Sequence, residues 1–463
     1  MVTVIQAQGL PAEVEAALVR AKLPLDAVAV VVVDAQGGKA PRVSYRADAP
    51  MNPASVMKLV STYAALELLG PAYSWRTPVY LDGTVRHGVL AGNVFIQGQG
   101  DPTLVAERLW LMMRRIRGLG IERIQGDIVL DRGAFALIPT DPGGFDGEPL
   151  RPYNAAPDAL LLNYKSVVMT FVVDRPNKLA RVQVNPPLAG VQIPASVPLS
   201  DGDCGDYRAS LRADFSDPTR IRFAGSYPAS CQERVWPVAF PDPASFAARA
   251  IEGMWREVGG RLSGVVRDGP VPVGIGPAVF EIGSPTLAEV VRDINKYSNN
   301  VMAQQLFLSL SLPAARVSST AQQTGAASFD ASREVVRVWW RERFGSTEPP
   351  VLDNGSGLSR QSRVSAQALA RLLQSAWSSP QMPELVSSLP IAGVDGTMRR
   401  NRSRAAGSAH LKTGSLRDVV AIAGYVHAAS GRRYVLVAIA NHPNAGASRA
   451  AFDALLDWTI RDE

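Results

Sequence analysis

The chain changes texture twice, and this constrains its fold more than any other feature. Residues 11–69 read as a helix over 11–22, a strand at 28–34 with a hairpin partner at 41–46, and a helix from Ser55 to Leu69 ended by Gly70-Pro71. From about residue 75 to 276, short alternating runs such as 92–97 and 127–131 are joined by Gly, Pro and Asp turns. Helices at 104–119 and 244–258 interrupt them, and 167–236 is the most strand-like stretch. From 286 helices dominate, at 286–308, 325–344 and 365–376. Two apolar strands at 419–427 and 433–441 and a last helix near 447–460 follow. The pattern predicts a β-rich insert inside an α/β host whose two halves lie far apart in the chain.

Several function classes fall away on composition. With 46% hydrophobic residues and a net charge of +6 over 463 residues, the chain is too apolar and too weakly charged to be disordered. Its basic residues are scattered, apart from groups such as Arg399, Arg400, Arg402 and Arg404, so no nucleic-acid footprint forms. No apolar run reaches the ~20 residues of a membrane-spanning helix. Residues 1–8 lack the basic and apolar segments of a leader peptide, which suits a cytoplasmic chain or a mature exported one. Cys204 and Cys231 have no Cys or His at metal-ligand spacing. A disulfide between them, implying an oxidising compartment, is favoured over two unrelated thiols.

Most conventional signatures fail. Gly98-Gln-Gly100-Asp-Pro-Thr103 lacks the third glycine of a dinucleotide fingerprint, and there is no Walker loop and no His-Glu-x-x-His helix. No metal or cofactor is expected. A different constellation remains: Ser55-Val56-Met57-Lys58 at a helix start, Ser298-Asn299-Asn300 on a helix, and Lys412-Thr413-Gly414 just before the terminal strand pair. Lys-Thr-Gly is the rarest of the three, because the chain has only seven lysines. A serine hydroxyl needs a base, and residues three apart on a helix share a face, so Lys58 can reach Ser55. A lysine base must be neutral, and burial together with a second cation, Lys412, would disfavour its charged form. The N–H groups of Ser55 and Ser415 are candidate oxyanion donors. Gly414 would let a substrate backbone approach the strand edge.

In this order the motifs resemble the penicillin-recognising serine peptidases. The gap of 243 positions from Ser55 to Ser298 resembles that made by the large insert of class C low-molecular-mass penicillin-binding proteins, the D-alanyl-D-alanine carboxypeptidase/endopeptidases of the penicillin-binding protein 4 type. Further segments match that family, among them 98–104, 126–131, 353–360 (Asp-Asn-Gly-Ser-Gly-Leu-Ser-Arg), 393–397 and 412–416. The resemblance implies an α/β (α+β) fold: a five-stranded antiparallel sheet flanked by helices, with a large inserted domain and a nested β-rich domain. The expected boundaries are 1–74 with 283–463, 75–166 with 237–282, and 167–236.

Carried over, Ser55 is the acylated nucleophile and Lys58 its base, Ser298 and Lys412 relay protons, and Asn300 holds the substrate amide. Thr413 with Lys412 takes the terminal carboxylate, and Gly414, Ser415, Leu416 and Leu358 line the substrate. Arg360 and an acidic residue of the insert, Glu148 in preference to Asp146 and with Tyr153 nearby, would recognise a diaminopimelate side chain. The implied partners are peptidoglycan stem peptides, cross-links and β-lactam antibiotics, and the implied location is the periplasm or cell envelope. The resemblance leaves peripheral membrane contact and a homodimer open. Two other readings of the scaffold are a β-lactamase and a non-catalytic envelope binding protein.

Overall fold

The computed structural model describes residues 9–136, 140–312 and 325–462. Residues 1–8, where no leader peptide was expected, lie outside them. The chain forms two compact units, Met1–Ser74 with Pro285–Glu463, and Trp75–Ser284.

The first unit, the host, is built on strands β1 (Val28–Asp34), β2 (Val43–Tyr45), β3 (Ala409–Leu416), β4 (Val419–His427) and β5 (Arg433–Asn441). Their order is β3-β4-β5-β1-β2, every neighbouring pair antiparallel, as the resemblance implied. All seven residues of β1 are buried, because helices cover both faces of the sheet and an unbroken Val run satisfies both. The host helices are α1 (Ala12–Arg20), α2 (Lys58–Leu69), α3 (Leu287–Tyr297), α4 (Asn300–Ser309), α5 (Phe329–Phe344), α6 (Ala366–Trp377), α7 (Met382–Ser388) and α8 (Arg449–Arg461). Val14 and Leu18 of α1 and Phe452 and Leu455 of α8 close one face of the sheet over Val30, Val32 and Leu436. On the other face, Tyr425 of β4 donates its hydroxyl to Leu373 O of α6 at 2.8 Å. The central helix α2 is buried from Lys58 through Leu66, which its nearly continuous apolar sequence allows.

The second unit has two five-stranded sheets, a four-stranded sheet and a strand pair. One sheet gathers Val266–Asp268, Ile128–Asp131, Val94–Gln97, Arg76–Leu81 and Phe280–Gly283, and the other is built around Ser166–Asp174 and Leu179–Asn185. Helices Ala106–Gly118 and Pro243–Glu257 pack into the same continuous core as both sheets. Cys204 and Cys231 are bonded to each other.

One expected element is corrected. The helix read over 286–308 is two helices, α3 and α4, that meet at Ser298 in a left-handed backbone conformation (φ 57°, ψ 35°). Asn299 then caps α4, its side chain accepting the Met302 N–H at 3.1 Å.

Candidate active site

The segment before Ser55 is held by amides. Asn441, at the end of β5, accepts the Asn52 N–H at 2.8 Å and donates to Asn52 O at 2.9 Å. Asn52 Oδ1 accepts the Ala54 N–H at 2.9 Å, and its Nδ2 donates to Ser359 O at 2.9 Å. Ala54 is thereby fixed at φ 46°, a costly conformation for a residue with a Cβ. A single 3₁₀ turn, Ala54–Met57, leads into α2, whose first residue is Lys58. In a 3₁₀ turn, side chains three apart eclipse, so Ser55 and Lys58 stand one above the other. The expected plain α-helix is replaced by a turn that aligns the pair more directly.

Two glycines let other segments press onto this turn. A Cβ at Gly357 would lie 2.0 Å from Ala54 O, and one at Gly414 would lie 2.4 Å from Pro53 O. The missing side chain of Gly414 admits the turn that carries Ser55, on the face of β3 shared with Lys412.

Lys58 is fully buried. Its Nζ lies 2.9 Å from Ser55 Oγ, 2.7 Å from Asn300 Oδ1 and 2.6 Å from the Ser356 carbonyl oxygen. The last two are acceptors only, and a neutral amine has two N–H groups to give them. Its lone pair then faces Ser55 Oγ and can accept the hydroxyl proton. The geometry would equally suit an ammonium; electrostatics decides. Burial, and then the nearby Lys412, hold Lys58 well below the usual lysine pKa.

Lys412 is also fully buried, and burial lowers its pKa to about 7. It donates to Ser298 Oγ at 2.9 Å and to Thr413 O at 2.7 Å. The break between α3 and α4 is what turns Ser298 toward Lys412, so a serine in a left-handed conformation links the second motif to the third.

Strand β3 is an edge of the host sheet. Its first part is covered, with Leu411 N donating to Pro390 O at 2.8 Å on the side away from β4. N–H groups alternate along a strand, so those of Thr413 and Ser415 point the same way, along the open part of the edge. Ser55 N–H, at the start of the 3₁₀ turn, is among the donors a helix start leaves without an intrahelical partner. Thr413 Oγ1 lies 2.7 Å from Thr397 Oγ1, which orients it. Ser415 is exposed, and Leu358 and Leu416 are half-buried.

Arg360 pairs with Asp418, two residues beyond Leu416. Tyr153 donates its hydroxyl to Asp146 Oδ2 at 2.9 Å, whereas Glu148 turns to Arg151 at 3.2 Å. Of the two candidate acids, Asp146 is the one bonded to Tyr153; the preference for Glu148 rests on the resemblance. Ser356, Asn52, Asn441 and Thr397 escaped the sequence reading; Ser356 and Thr397 had a signal, each lying in a segment already matched to the family (353–360 and 393–397).

The D-Ala-D-Ala carboxypeptidase 3 (S13) family model matches residues 10–461. The chain belongs to this family. It is a serine-type D-Ala-D-Ala carboxypeptidase and a class C low-molecular-mass penicillin-binding protein, as its motifs implied. It is similar to the D-alanyl-D-alanine carboxypeptidase of Actinomadura sp. (strain R39), 30% identical over 421 residues that cover 86% of this chain and 74% of that protein. Its fold is similar to that of penicillin-binding protein 4 of Haemophilus influenzae, at a TM-score of 0.74 and 22% identity over 96% of this chain and 100% of that one. The same protein complexed with a β-lactam gives a TM-score of 0.70, with the same identity and coverage. S13 enzymes act on the bacterial cell wall, and no helix among the described residues of this chain is long and apolar enough to cross a membrane.

Proposed function

We propose that Ser55 is the nucleophile and Lys58 the general base of a D,D-peptidase that releases the terminal D-alanine of peptidoglycan stem peptides. Ser55 Oγ attacks the carbonyl carbon of the penultimate D-Ala while its proton passes to Lys58 Nζ. The oxyanion is held by the N–H groups of Ser55 and Ser415. The C–N bond to the leaving D-amino acid breaks, and its nitrogen takes a proton through Ser298 Oγ and Lys412. Water then attacks the acyl ester and regenerates the Ser55 hydroxyl. Asn300 accepts from Lys58 Nζ through Oδ1 and, as the motif implies, holds the substrate amide. Thr413 and Lys412 receive the terminal carboxylate.

The observation that carries this reading is the Lys58 amine: buried beside a second cation, with two acceptors for its N–H groups and its remaining side toward Ser55 Oγ. β-Lactams form the same ester on Ser55, and D-Ala-diaminopimelate cross-links are substrates alongside free stem ends. The disulfide suits the periplasm as the place of action. Intact-mass spectrometry with benzylpenicillin tests the reading. A single stoichiometric adduct on the wild type and none on Ser55→Ala is expected, and an adduct retained by Ser55→Ala would overturn the assignment. Rapid loss of the wild-type adduct would instead mark a β-lactamase.

A further inference from the structure

Segment 393–397 stands outside the three motifs, yet the fold ties it to two of them. Lys296, the penultimate residue of α3 and two positions before Ser298, places Nζ 2.6 Å from Asp395 Oδ2. Asp395 Oδ1 accepts the Ile391 N–H at 2.8 Å, which fixes the start of the segment as well. Lys296 is buried, so this ion pair is screened far less than a surface one. Gly396 follows at φ 53°, and a Cβ there would lie 2.5 Å from Lys296 O, so the turn presses on the end of α3. On its other side Met398 is buried in the core of the host sheet. Between these anchors, in the single 3₁₀ turn Gly396–Met398, stands an exposed threonine, Thr397.

The hydrogens at this point can be followed. Thr413 donates its hydroxyl hydrogen to Thr397 Oγ1 at 2.7 Å. A hydroxyl has one hydrogen, so the one left to give at this pair belongs to Thr397, and no acceptor for it stands among the described residues. Hydroxyls in series polarise one another, so a Thr397 hydrogen backed by Thr413 is a stronger donor than either alone. The peptidase reading puts the terminal carboxylate at Thr413, within reach of that hydrogen. We infer that Thr397 is a further specificity-determining residue, whose hydroxyl donates to the carboxylate of the leaving D-amino acid, and that Lys296 and Asp395 position it by fixing its turn to the end of α3. Because α3 also ends in Ser298, the same clamp keeps the seat of the leaving carboxylate in register with the proton relay that serves the leaving nitrogen. The inference rests on the peptidase reading above.

The test uses two peptides with the same acyl part, one ending in D-Ala-D-Ala and the other in D-Ala-D-alaninamide. It reads the ratio of their kcat/KM values, acid over amide, beside a thermal melt of each variant. The wild type should favour the acid. In Thr397→Val the ratio should fall on the order of tenfold, the effect of losing one charge-assisted hydrogen bond at a partly exposed site. Thr397→Ser, which restores the hydroxyl, should keep the wild-type ratio. In a Thr413→Val background, Thr397→Val should lower the ratio further, as a direct donor requires. Asp395→Asn keeps an acceptor for the Ile391 N–H but removes the ion pair, and should move the ratio in the same direction. An unchanged ratio in Thr397→Val, an equal loss in Thr397→Ser, or no further loss in the Thr413→Val background would overturn the assignment of Thr397. An unchanged ratio in a folded Asp395→Asn would overturn the clamp. A wild type that releases neither D-alanine nor D-alaninamide would overturn the peptidase reading and the inference with it.

Discussion

Gly414→Ala adds one methyl group on the face of β3 that meets the Ser55 turn, and its effect can be worked from the geometry. The new Cβ would stand 2.4 Å from Pro53 O and 3.1 Å from both Ala54 Cβ and Ser55 N. Ordinary contact begins near 3.4 Å, so the backbone oxygen is about 1 Å too close and one of the two segments must yield. The turn is held by the paired amides of Asn52 and Asn441, and β3 is held by β4 over its whole length. Moving either separates Ser55 from the Lys412 and Ser415 side of the site. Overpacking of this kind costs about 1–3 kcal/mol of stability, and a misplacement of about 1 Å at a reacting centre costs on the order of 10²-fold in rate. The assay is the second-order rate of acylation by a fluorescent penicillin, normalised to folded protein and read beside a thermal melt. A variant that melts earlier but acylates at the wild-type rate would refute the reasoning, because the turn would then tolerate a displacement the geometry says it cannot.

Lys412→Met removes the cation that, after burial, lowers the pKa of Lys58. Lys58 is a base only when neutral, so with its pKa raised the acid limb of the acylation profile should move to higher pH; a limb that stays or moves down would contradict the assigned base. Asn300→Asp places a carboxylate where an oxygen now sits 2.7 Å from Lys58 Nζ, which favours the ammonium. Acylation at neutral pH should fall on the order of 10²-fold or more and recover partly as pH rises, measured by the same fluorescent label. Replacing Cys204 and Cys231 by Ser opens a loop of 27 residues and should lower stability by about 3 kcal/mol in denaturant titrations, while penicillin labelling of the folded protein keeps its rate.

The host sheet was legible because the pattern is local: a Val run between turn residues reads as a doubly buried strand wherever its partners lie. The catalytic residues were legible because each motif keeps its acting side chains within three positions. What could not be read depends on pairing across the chain. Asn52 and Asn441 are separated by 389 positions, and nothing near either one announces the other. The break at Ser298 was hidden by a continuous helical pattern, although Asn299 before an apolar run is a cap signal that could have been weighed. Asp146 and Glu148 were equivalent as letters. The fold separates them through a turn in which Asp146 Oδ1 accepts the Glu148 N–H at 3.0 Å, keeping the shorter acid with Tyr153 and sending the longer one outward to Arg151.

The spacing of 243 from Ser55 to Ser298 also has a physical explanation. At the departure of the inserted unit, Leu287 N donates to Tyr73 O at 2.7 Å and Ala288 N to Pro71 O at 3.1 Å, so the host closes on itself there. The inserted unit does the same at its own ends, where Trp75 N donates to Ser284 Oγ and Ser284 N to Trp75 O, each at 2.9 Å. Loop closure grows only logarithmically, about 0.6 kcal/mol per doubling, so even a structureless connection of this length would cost about 3 kcal/mol more than a ten-residue one. A folded insert whose ends are already joined costs less than that. The host can therefore set α2 against α3 as if a short turn connected them. Ser55, Lys58 and Ser298 keep their places because both ends of that turn are tied, whatever the insert has become.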